Sequence, residues 1–74
     1  MNKAKKICKS VARVVHRLEQ AQNRIDDCVE LIEKLEKWPE KKEDLLSARD
    51  DADKAIVKLN ELIVAIEEAD SAEN

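Results

Sequence analysis

The sequence predicts an all-α fold: an antiparallel helical hairpin that dimerises into a four-helix bundle or coiled coil. Three observations predict it. Charged residues make up 42% of the 74 and apolar residues 43%, with no Gly, Phe or Tyr. That is the composition of long helices. Apolar residues of the first half recur through five heptads. The one proline coincides with a break in heptad phase. Disorder, the rival for so charged a chain, fails because the Leu, Ile and Val residues are numerous and regularly spaced.

Helix 1 is expected over about residues 3–37. Ala4, Ile7, Val11, Val14, Leu18, Ala21, Ile25, Cys28, Ile32 and Leu35 alternate in steps of three and four. These are heptad positions a and d. Cys8, Val15 and Val29 widen the stripe at e, as in a globular bundle. Asn2 suits the N-cap, and Lys34 and Lys37 suit the negative end of the helix dipole.

The turn is expected over about 38–41. Pro39 disfavours helical geometry at Trp38, would clash inside a continuous helix, and suits the first position of a new one. Glu40, Glu43 and Asp44 suit that new N-terminus.

Helix 2 is expected over about 40–70, with a frayed tail at 71–74. Its stripe is Leu45, Ala48, Ala52, Ala55, Leu59, Leu62, Ile66 and Ala69. Extending the helix 1 register would instead put Arg49 and Asp53 in the core.

A short connection makes the helices antiparallel neighbours within a single domain, 1–74. Facing residues should then have numbers summing to roughly 78, so that Leu18 meets Leu59 and Leu62, Ile25 meets Ala52 and Ile56, and Val11 meets Ile66. The basic start of helix 1, from Lys3 to Arg17, comes to lie beside Glu67, Glu68, Asp70 and Glu73.

Seventy-four residues seldom hold a self-sufficient core. Cys8 and Cys28 stand roughly 30 Å apart on one helix, too far for a disulfide within the chain. They read as free, buried small hydrophobes. A Cys8–Cys28 bond between antiparallel helices 1 of two chains stays geometrically open. Two distant Cys and one His give no metal cluster, and no cofactor is expected. Oligomerisation remains. Val15, Val29, Ile56 and Ile63 lie beside the seam and should stay partly wet in a monomer, with Leu46, Val57 and Val64 further out. These residues and Trp38 are the expected interface to a second copy or another protein. Trp38 is also expected to close the bundle end over Leu35 and Leu45.

No catalytic constellation appears, so the chain reads as non-enzymatic. The absence of glycine excludes a phosphate-cradling loop. His16 falls on the solvent face. No segment approaches the about 20 apolar residues of a membrane span, and Arg13 interrupts the only apolar run that could serve a secretory signal. The acid-free opening from Met1 to Leu18 resembles a mitochondrial presequence in composition, but its apolar spacing continues into the rest of helix 1. A cytoplasmic location is expected.

One polar surface stands out. Lys6, Lys9, Arg13, Arg17, Gln20 and Arg24, with His16 and Asn23, form a face without a carboxylate until Asp27, suited to tracking phosphates. Together with the hairpin plan and the core cysteines, it resembles the Rop family, plasmid-encoded dimers of helical hairpins that bind paired RNA loops. That family uses an exposed aromatic on helix 1, and this helix 1 has none before Trp38. The net charge of −3 also departs from a dedicated nucleic-acid binder.

The expected function is that of a small protein-interaction module, such as an adaptor, small chaperone or stoichiometric inhibitor, that presents a rigid helical face. The alternative is a Rop-like RNA-binding regulator. Peripheral membrane contact through basic helix 1 ranks behind both.

Overall fold

The computed structural model describes residues 2–73, and the side chain of Glu73 also lies outside the description. Two helices, α1 (Lys3–Leu35) and α2 (Pro39–Glu73), pack against each other along their lengths. There is no strand among the described residues. The hairpin measures 58 × 17 × 10 Å.

Each helix boundary has a local cause. The Asn2 side-chain oxygen accepts from the amides of Ala4 and Lys5 at 2.9 and 3.3 Å, the N-cap its sequence position suggests. The Asn2 amide nitrogen also donates to Asp70 Oδ2 at 2.8 Å, tying the start of α1 to the end of α2. α1 closes at Glu36, whose N–H donates to the carbonyls of Ile32 and Glu33. Glu36 is left-handed, at φ 54° and ψ 37°. Trp38 also has positive φ, 55°, and its carbonyl accepts from the amides of Lys41 and Lys42. Pro39 is the first residue of α2, where its missing N–H costs nothing.

The turn is therefore shorter and earlier than expected. α1 stops at Leu35 rather than near Lys37, because two left-handed residues reverse the chain within Glu36–Trp38. The tail departs too: α2 runs through Ser71 and Ala72 to Glu73, while Asn74 lies outside the described residues.

The earlier turn resets the pairing. Contacts across the hairpin join Asn2 to Asp70, Cys8 to Ile63, Gln22 to Arg49, Asp26 to Arg49 and Glu33 to Lys42. Facing numbers thus sum to 71–75, not 78. Leu62, expected against Leu18, is exposed.

The seam is also rotated. In α1 the shielded positions are Ala4, Cys8, Val11, Val15, Leu18, Gln22, Ile25, Val29 and Ile32. These are heptad positions a and e, not a and d. Val15 and Val29, expected to stay partly wet, are the buried core, at 8% and 9% exposure. In α2 the seam runs through Leu45, Arg49, Ala52, Ile56, Leu59, Ile63 and Ile66, all half-buried. Arg49 thus sits where a hydrophobic residue was expected.

Polar partners line one edge of the rotated seam. Gln22 Nε2 donates to the Arg49 carbonyl at 3.2 Å. The Arg49 guanidinium bonds Asp26, and Lys42 Nζ meets Glu33 Oε1 at 3.1 Å. The Asp26 hydrogen bond, then its charge, raise the Arg49 pKa above its usual value.

Candidate interaction face

With a seam on a and e, the two flanks of α1 differ in chemistry. One flank carries Ile7, Val14, Ala21, Cys28 and Leu35. The other carries Lys5, Ala12, Glu19, Asp26 and Glu33. The flanks of α2 differ in the same way. One carries Lys41, Ala48, Ala55, Leu62 and Ala69. The other carries Pro39, Leu46, Asp53, Asn60 and Glu67.

The structure shows which flanks share a side. Lys5 and Glu67 line one shallow cleft between the helices, and Glu33 and Pro39 line another. Both charged flanks therefore lie on one side of the hairpin, with the Arg49–Asp26 and Lys42–Glu33 pairs. By the handedness of the helix, both apolar flanks lie on the opposite side.

That opposite side is a continuous apolar face. Ile7, Val14, Leu35 and Leu62 are 45–57% exposed on it. Ala21, Cys28, Ala48 and Ala69 are exposed beside them, and Val11, Leu18, Ile25 and Leu59 form its half-buried floor. Lys41, at the turn, is the one charged residue among its flanking positions. From Ile7 to Leu35 the face runs about 42 Å by helix rise.

The residues singled out from the sequence fall into three places. Val15 and Val29 lie inside the hairpin, with Ile56 and Ile63 half-buried on the α2 seam. Leu46 is half-buried on the charged side. Val57 and Val64 are half-exposed on the outer surface of α2, in a shallow cleft with Asn60, Glu61, Ala65 and Glu68. Trp38 is more than half exposed, as is Leu35, so Trp38 does not close the end of the hairpin. Cys28 is exposed rather than buried, because it is a d residue. Cys8 is half-buried, and its Sγ donates to the Ile63 carbonyl at 3.9 Å.

Lys6, Lys9, Arg13, Arg17, Gln20 and Arg24 are all exposed, as is His16. Lys6, Lys9 and Arg13 border a shallow cleft with Asn2, Lys5 and Ser10. The five bases of this surface form no ion pair among the described residues. No group of three or more His, Cys, Asp or Glu there could hold a metal ion, and no described helix is long and apolar enough to cross a membrane.

The apolar face was not legible as a face from the sequence. Positions d and e of α1 both carry apolar residues, and hydrophobicity alone does not choose which of them enters the hairpin. The flanking charges do not choose either, because Asp26 and Glu33 stand beside position e while Arg17 and Arg24 stand beside position d.

Comparison with protein-family models, with curated proteins and with solved structures gives no match.

Proposed function

We propose that this chain is a small, non-enzymatic protein-interaction module that works through its apolar face, first of all by self-association. The observation that carries the reading is the exposure of Ile7, Val14, Leu35 and Leu62 on one side. Each large aliphatic side chain gains about 1.5–3 kcal/mol when fully buried, so four half-exposed on one side favour a cover. Single surface aliphatics need no explanation, but a contiguous strip does. The rigid two-helix frame fits an adaptor, a small chaperone or a stoichiometric inhibitor, and a cytoplasmic setting suits its free thiols.

Sedimentation over a wide concentration range tests this. The chain should move from one toward twice its mass, and its melting temperature should rise with concentration. Val14→Asp and Leu62→Asp should keep the helical signal and hold the chain monomeric. A wild-type chain that stays monomeric at high micromolar concentration would refute self-association. Val57→Asp should leave assembly unchanged, since Val57 lies off the face.

The exposed basic surface of α1 supports a second reading, an RNA-binding regulator. Binding would then weaken steeply with salt, and each of Arg13→Gln, Arg17→Gln and Arg24→Gln would flatten that slope by roughly one unit. Unchanged RNA retention by the triple variant would remove this reading.

A further inference from the structure

We infer that the apolar face is covered by a second copy of this chain with both turns at the same end, so that α1 of each hairpin lies over α2 of the other. The inference rests on the self-association proposed above and adds the orientation. Two hairpins stacked face to face about a two-fold axis have two arrangements. An axis along the bundle puts α1 over the partner's α2. An axis across it puts like helices over like, with the turns at opposite ends.

Charge separates the two. α1 holds eight bases and five acids, a net charge of +3. α2 holds five bases and eleven acids, a net charge of −6. Stacking like on like sets +3 against +3 and −6 against −6. Stacking α1 over the partner's α2 sets a net positive helix against a net negative one on each side, and complementarity of this kind fixes orientation.

The residues at the rim agree. The α1 edge next to the face carries Arg17 and Arg24, and the α2 edge next to it carries Asp44, Asp51 and Lys58. An axis along the bundle keeps the pairing level found within the hairpin, where facing numbers sum to 71–75. Arg24 then stands level with the partner's Asp51, within about one helical turn. Arg17 approaches the partner's Lys58, the one like-charge contact of this edge. In the opposite-end arrangement, Arg17 meets Arg17 or Arg24 of the partner subunit wherever the axis crosses the middle of α1.

The area is adequate. A face about 42 Å long on a hairpin 17 Å wide offers roughly 700 Å² per copy, close to the about 800 Å² per partner of a stable specific interface.

Spin-label distances test the orientation. Lys37→Cys, in a chain also carrying Cys8→Ala and Cys28→Ala, places one label at each turn. Same-end assembly should give a distance of about 20 Å, set by neighbouring helix axes roughly 10 Å apart plus the label arms. A dimer with labels about 50 Å apart, near the 58 Å hairpin length, would overturn the orientation while leaving self-association intact. Failure to dimerise in the unmodified chain would overturn self-association itself.

A charge-reversal cycle in the chain with native cysteines provides a second route. Arg24→Glu and Asp51→Lys should each weaken dimerisation roughly 2- to 5-fold, and the double variant should recover most of the loss. A stronger dimer from Arg24→Glu, by relief of Arg–Arg contact, would also overturn the inference.

Discussion

At the scale of single residues, the turn carries the clearest local cost. Glu36 and Trp38 both hold positive φ in a chain with no glycine. A left-handed residue with a Cβ costs roughly 1–2 kcal/mol, and glycine removes most of that cost. Glu36→Gly should therefore stabilise the hairpin by about 1 kcal/mol, read as a higher urea midpoint with unchanged slope. Glu36→Ala should give no such gain, and equal gains from both would mean that φ at this position is not the cause. The sequence announced the neighbouring residues more clearly. Asn2 at the cap and Pro39 at the first position of α2 have side chains whose chemistry demands those places. Glutamate carries no such signal for a left-handed position, so the sequence places the end of α1 two residues beyond Leu35.

At the scale of the elements, two helices, their antiparallel order and the phase break were legible, because each follows from periodicity or from proline. The rotation about the helix axes was not, because α1 has three apolar positions per heptad and one partner helix covers only two. Arg49 shows what the rotation involves. It occupies a seam position, yet its ion pair with Asp26 leaves both side chains 40–50% exposed. Solvent screens so exposed a pair and leaves it little net contribution, while a leucine shielded there would contribute about 1.5 kcal/mol or more. Arg49→Leu should therefore hold or raise the melting temperature at fixed concentration. The Gln22 hydrogen bond survives, since it reaches the Arg49 carbonyl. Val15→Ala or Val29→Ala should lose about 2 kcal/mol through the methyl groups and the cavity left behind. A drop for Arg49→Leu as large as those would show that the ion pair, not the aliphatic seam, sets the register.

At the scale of the whole molecule, the two thiols report on the covering of the apolar face. Cys28 lies on that face, and Cys8 lies in the seam, bonded to Ile63. In dilute solution Cys28 should react quickly with a thiol reagent and Cys8 slowly. As concentration rises, Cys28 should slow in step with assembly while Cys8 changes little. A Cys28 rate independent of concentration across the sedimentation transition would place the covering surface elsewhere. The division between the two sides of the hairpin has a further consequence in colloid terms. With one broad side that is apolar but for Lys41 and one charged side, the free hairpin is an amphiphile. Excluded salts such as sulfate drive apolar surface out of water. The single hairpin should bind a phenyl matrix in ammonium sulfate and elute as the salt falls, whereas an assembly that has turned its oily sides inward should pass through.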